Sequence, residues 1–218
     1  MTTNTGITTT MTELAGLQKL ALWLSPGFPI SAYAYSHGVE QAIADGAIHD
    51  AATAQGWIAD LLAHGAGRND AILLVHAWRG ADVADLALAL TGAASRRREA
   101  VEQGAAFARI ISATEAPLPA APYPVVVGQA AARAGAALPE TLVLFLQAFA
   151  STLTTVCVKS VPLGQTQGQS VLTALLPLIR SLAGQAASAS LDDLGGACLW
   201  GDLAAIRHET LEPRIYRT

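Results

Sequence analysis

The chain has 218 residues, 52% of them hydrophobic and only 14% charged, and its formal net charge is −4. This balance argues against non-specific nucleic-acid binding, which needs a basic face to neutralise phosphates, and the length is enough to bury a core in one domain with no interior stretch of linker composition. Charge below the roughly 25% usual for soluble domains leaves two readings: part of the surface is covered by partners, or abundant alanine inflates the apolar count without making sticky patches.

Met1 to Thr12 is Thr-rich, has neither a basic nor an apolar leader segment, and reads as a disordered lead-in, not a secretory signal. Leu14, Leu17, Ala21 and Leu24 recur at helical spacing and predict a first helix with that face inward. Ser25-Pro26-Gly27-Phe28-Pro29 ends it, because prolines and glycine so close together cannot continue a regular helix. A second helix is expected from about Tyr33 to Tyr35 as far as Asp45, stopped by Gly46. Trp57, Ile58, Leu61 and Leu62 mark the buried face of a third, and Asn69 or Asp70 can cap a fourth that carries Ile72, Leu73, Val75 and His76.

Asp82 to Leu90 reads as a fifth helix and Ser95 to Ile111 as a sixth, with Val101, Ala105, Ala108 and Ile111 inward. The prolines from Ala116 to Pro124 make the clearest loop, and the Ala-rich run after Val125-Val126-Val127 favours a helix over a strand there. Pro139 opens a long helix to about Val161. Its segment Leu142 to Val158 is short for the ~20 apolar residues of a membrane span and is interrupted by Gln147, Ser151 and Thr152, so it reads as a central core helix. After Pro162-Leu163-Gly164, a helix from Gln165 to Leu182 should bend at Pro177, a small-residue loop should follow from Gly184 to Leu191, and a short helix should run from Asp202 to Thr210. The expected fold is all-α: a single globular domain of about ten helices around one hydrophobic helix, over residues 13–210, with a tail at 211–218 that orders on a partner.

The chain carries no Gly-rich phosphate loop, no Gly-x-Ser-x-Gly elbow and no paired Glu-x-x-His motifs. Cys157 and Cys198 lie far apart in apolar surroundings, as buried thiols of a reducing compartment do. His37 and Glu40 would share a helix face and could hold one metal ion, giving an alternative reading as a nickel carrier or metalloprotein, but a site needs three or four ligands and no second pair matches them. Arg96-Arg97-Arg98, followed by Glu99 and Glu102, reads as a solvated helix face. Special residues crowd instead into Ser25 to Glu40, into the glutamine-rich corner Val161 to Gln169 just after Lys159, and into the tail Arg207 to Arg217. Aromatics on a rigid turn suit protein binding, or pack inward at a tight corner.

These three segments together resemble the urease accessory protein UreF family. Ser25-Pro-Gly-Phe-Pro-Ile-Ser-Ala-Tyr-Ala-Tyr-Ser-His-Gly-Val-Glu40, Pro162-Leu-Gly-Gln-Thr-Gln-Gly-Gln169, and Arg207-His-Glu209 with Arg214-Ile-Tyr-Arg217 follow the family's motifs in order, while Ser31-Ala32, Ile215-Tyr216 and Thr218 depart from them. The resemblance implies a cytoplasmic, dimeric, all-α adaptor without catalytic activity or cofactor. It would bridge the UreD/UreH scaffold and the UreG GTPase, regulate that GTPase, and support GTP-dependent nickel insertion into apo-urease, with no nucleic-acid or membrane partner. Carried onto this chain, the candidate partner contacts are Tyr33, Tyr35, Ser36, Glu40, Pro162, Leu163, Gly164, Gln165, Gln169, Arg214 and Tyr216, with Lys159 toward the GTPase and His37 as the one candidate metal ligand.

Overall fold

The computed structural model describes residues 11 to 218. Those residues form α1 (Met11–Trp23), α2 (Val39–Ala44), α3 (Ala51–His64), α4 (Ala66–Trp78), α5 (Ala84–Ala89), α6 (Ala94–Thr114), α7 (Tyr123–Arg133), α8 (Leu138–Ser160), α9 (Gln165–Ser188) and α10 (Leu199–His208), with 3-10 turns at Ala32–Ala34 and Leu191–Asp193. No strand occurs among the described residues. The lead-in expected over residues 1–12 lies outside them except for its last two, which begin α1.

α8 is the centre. It packs against α9, α4, α2, α3, α1 and α7, and its stripe Leu142, Leu146, Ala150 and Leu153 is wholly removed from water. Burying each of these leucines contributes about 1.5–3 kcal/mol. Both α8 and α9 are long and apolar enough to cross a membrane, yet half of the most apolar stretch of α8 is buried inside the fold. Pro139 in its first turn starts it as expected, since proline lacks only an N–H that would be unpaired there. Beside α8, Phe107 of α6 gathers Trp23, Phe28 and Tyr123 at ring separations of 5.9, 5.4 and 6.0 Å, which ties α6 and α7 to α1.

Several local expectations are corrected. The inward face of α1 is Gly16, Leu20 and Trp23, while Leu14 and Leu17 are exposed. α4 starts at Ala66, separated from α3 by Gly65 alone, so Asn69 caps nothing of its own and accepts a hydrogen bond from Gly195 N–H at 3.1 Å. Val101 and Ala105 of α6 face solvent, and the buried positions there include Glu99 and Gln103. α9 runs on to Ser188 through the expected loop at residue 184. The helix expected from Tyr33 to Asp45 is only α2, from Val39, and the chain before it does something else.

Candidate functional site

Between α1 and α2 the chain makes a turn that a helix cannot make. Ser31 and His37 adopt left-handed backbone (φ 60 and 53), uncommon for residues with a Cβ, and Gly38 follows at φ 76. Tyr35 between them is extended. This leaves the backbone edge of residues 34–36 open for pairing, and the last described residues use it. Arg217 N–H donates to Ala34 O at 2.7 Å, and Ser36 N–H donates to Thr218 O at 2.9 Å. The Ser36 hydroxyl donates to the same Thr218 oxygen, and Thr218 Oγ1 accepts from the N–H of His37 at 3.2 Å. Gly38 is required for space as well as for φ, because a Cβ there would lie 2.6 Å from Ala205 N of α10.

Three consecutive residues at the end of α10 fix it against α2 and the start of α6. Arg207 grips Asp45 with two nitrogens at 2.8 and 3.1 Å, and His208, fully buried, places Nε2 2.6 Å from Glu40 Oε2. Glu209 Oε1 accepts the N–H of Ser95 at 3.0 Å, a carboxylate at the N-terminus of α6 where the helix dipole favours it. Glu40 also accepts the N–H groups of Ile215 (2.7 Å) and Tyr216 (3.0 Å). One carboxylate therefore joins α2, α10 and the tail. The opposite side of α10 carries Leu199, Trp200, Leu203 and Ile206, all exposed.

Beneath the turn lies a buried charged network. The arginine run at the start of α6 divides: Arg96 turns inward, Arg97 donates to Leu88 O at 3.0 Å, and Arg98 stays in solvent. Arg96 bonds Glu99, and Arg96 Nη1 and Glu99 Oε1 lie 3.0 and 2.9 Å from His37 Nε2. Burial alone would favour the neutral acid at Glu99, but Arg96 and then His37 outweigh it and hold the carboxyl down at about 2. Burial, helped by Arg96, lowers His37, against the pull of Glu99. Asp70, 3.8 Å from Arg96, is pushed up to about 6 by burial, against the pull of that guanidinium. Asp70, Arg96 and Glu99 floor a cavity of about 380 Å³ walled by Trp23, Phe145 and Phe149. Farther out, Tyr35 O–H donates to Glu102 at 2.6 Å and is pushed up to about 12, by burial first and this carboxylate second, while Arg217 binds the same Glu102 at 2.8 Å.

The candidate residues therefore fall into two sets. Tyr35, Ser36 and Tyr216 are buried and Glu40 is enclosed by its three donors, within the turn and the seat of the tail, while Leu163 is buried at the corner between α8 and α9. Tyr33, Lys159, Pro162, Gly164, Gln165, Gln169 and Arg214 are exposed. At the corner, Gln167 Oε1 accepts Gly164 N–H at 3.1 Å to cap α9, and a Cβ on Gly168 would lie 2.5 Å from Val158 Cγ2, so glycine lets α9 close on the end of α8. His37 and Glu40 enter separate networks, and no group of three or more His, Cys, Asp or Glu side chains is set to hold a metal ion among the described residues. Sequence reasoning missed Arg96, Glu99 and Glu102 because their charge marked them as surface. The tail expected to order on a partner is ordered on its own chain.

An all-α domain whose motif residues brace a turn, a short helix and a tail has the build of a protein that presents a surface. Residues 48–176 match the UreF family model. The chain is 57% identical to the urease accessory protein UreF of Cereibacter sphaeroides (strain ATCC 17029 / ATH 2.4.9) over 208 residues, covering 94% of this chain and 99% of that one. It is 46% identical to UreF of Roseobacter denitrificans over 205 residues (91% and 92%), and 42% identical to UreF of Agrobacterium fabrum over 217 residues (94% and 97%). The chain belongs to the UreF family of urease accessory proteins. Of the three motifs, only the Pro162 corner lies inside the matched family model; the turn and the tail fall outside it, and both are braced by each other.

Proposed function

We propose that this chain is a non-catalytic assembly factor that bridges the UreD/UreH scaffold and the UreG GTPase, as a homodimer in the cytoplasm, and supports nickel insertion into apo-urease. Family membership motivates the reading. The observation that carries it is the apolar stripe of α10, where Leu199, Trp200, Leu203 and Ile206 are 67%, 76%, 50% and 49% exposed on a helix that Arg207, His208 and Glu209 hold rigid. A contiguous apolar face kept in water by an otherwise well-packed domain marks a protein contact, and a rigid one loses little entropy on docking. The exposed corner residues Lys159, Pro162, Gly164, Gln165 and Gln169, with Tyr33, offer further contact positions. The Ser36 hydroxyl is committed to Thr218 O.

Co-expression with the cognate scaffold and GTPase tests this. A complex of all three should co-elute on size exclusion, and Leu203→Glu with Ile206→Glu should abolish co-elution while the circular dichroism spectrum stays unchanged. A chain that stays alone in the presence of both partners overturns the reading.

A further inference from the structure

We propose that the groove between the outer face of α6 and the tail is a docking site for an acidic segment of a partner protein, with Arg98 and Arg214 receiving carboxylates and Ile215 an apolar side chain. The groove, about 350 Å³, is lined by Arg98, Glu102, Arg214, Ile215, Tyr216 and Arg217. Its one carboxylate is already engaged, since Glu102 accepts from Arg217 at 2.8 Å and from Tyr35 O–H at 2.6 Å. Arg98 has no carboxylate partner among the described residues, and Arg214 reaches only the backbone oxygen of Glu209, at 3.5 Å. Two uncompensated guanidinium groups therefore face one groove on a chain whose net charge is −4 and whose Lys and Arg number only 13. Such groups grip carboxylates in paired hydrogen bonds.

The site is also built rigid. Glu40 holds the N–H groups of Ile215 and Tyr216, Tyr216 is buried, and Arg217 N–H is bound to Ala34 O. Ile215 is 83% exposed although its backbone is pinned on both sides. An isoleucine held in water in the same groove as two arginines suits a peptide that carries both an apolar residue and acids. A free inorganic anion would leave it unused, and two such arginines on an acidic chain are too few for a nucleic-acid backbone. The inference deepens the partner-binding reading of this chain and rests on it, without depending on which partner supplies the segment.

The test is a fluorescence-anisotropy titration of the full chain with a fluorescein-labelled peptide carrying Glu-Glu-Leu-Glu-Glu. It should bind saturably. Affinity should fall about ten-fold or more for the Gln-Gln-Leu-Gln-Gln peptide, and likewise for the chain bearing Arg98→Glu and Arg214→Glu. It should fall less for Glu-Glu-Ser-Glu-Glu. Arg180→Glu, an exposed arginine on α9, should leave it unchanged. Neither Arg98 nor Arg214 makes an ion pair among the described residues, so the charge-reversed protein should keep its circular dichroism and melting temperature. Absence of binding, binding indifferent to the two reversals, or equal displacement by inorganic phosphate overturns the proposal. Self-association that the reversals abolish would make the groove a contact between copies and overturn it too. A chain that ignores the peptide but still co-elutes with scaffold and GTPase loses this site alone and keeps its adaptor role.

Discussion

Glu40 and His208, 168 positions apart, meet with Nε2 2.6 Å from Oε2, and the same carboxylate receives two backbone N–H groups of the tail. The contact binds the first motif of the chain to the last. It explains why a short helix such as α2, six residues long and too short to be stable by itself, is formed at all. Replacing Glu40 by alanine removes three hydrogen bonds and leaves His208 buried without a partner. The expected cost is about 2–5 kcal/mol, read from urea unfolding. Glu40→Gln keeps an acceptor oxygen and should cost less than half as much. A cost near zero for the alanine variant would show that α10 and the tail are held by packing alone.

Removal of residues 211–218 tests the tail directly. The deletion discards the buried Tyr216, the pairing of Arg217 and Thr218 with the edge at residues 34–36, and both N–H donors to Glu40. The melting temperature should fall by about 5–10 °C, given about 2–4 °C per kcal/mol for a domain of this size. The amides of Ser36 and His37 should lose protection from hydrogen exchange. An unchanged melt would mean that the tail is an independent appendage.

Gly38 and Gly46 share φ 76, but a Cβ on Gly38 meets Ala205 N at 2.6 Å whereas one on Gly46 meets nothing within 4 Å. Gly46→Ala should therefore cost only the left-handed penalty of about 1–2 kcal/mol. Gly38→Ala adds the displacement of α10 and should cost about 2–4 kcal/mol. Thermal melts of the two variants side by side separate conformation from contact. Equal losses would mean that α10 yields without resistance.

Periodicity made the helices legible, because α3, α7 and α8 bury apolar stripes at helical spacing and proline or glycine marks most of their ends. It failed where distant residues decide. From Tyr33 to His37 the local pattern suits a helix, but the chain is drawn into an extended edge by partners at Arg217 and Thr218, and no window around Tyr35 contains that information. On α6 the apolar count pointed to Val101 and Ala105, whereas the interior takes Glu99 and Gln103, with Glu99 neutralised by Arg96 and bonded to Gln103 at 3.0 Å. A paired buried charge reads as surface until its partner is known. The motif residues were located by sequence, but their contacts were not: Glu40, Ser36 and Tyr216 join the turn, α10 and the tail through hydrogen bonds and burial that only the fold brings together.

The buried network also sets a pH dependence that one substitution isolates. Asp70, at about 6 in the fold against an ordinary 3.8, binds its proton more tightly when folded. Its ionisation therefore opposes folding, fully above pH 6 and not at all below 3.8. Glu99 acts in the other direction: at about 2 against 4.5, it contributes stability that is complete above pH 4.5 and lost as pH falls through 2. Asp70→Asn keeps the shape and removes only the first effect. At pH 7.5 it should stabilise the chain by about 1–3 kcal/mol, the gain should shrink as pH drops from 6 toward 4, and near pH 4 it should vanish. Glu99→Gln at pH 7.5 should instead destabilise, since Arg96 would remain buried without its closest counter-charge. Urea midpoints measured across that range decide the matter. A gain from Asp70→Asn that is the same at every pH would show that the carboxyl is not held protonated by its burial, and that the floor of the cavity is wetter than its enclosure by Arg96, Glu99 and Tyr123 implies.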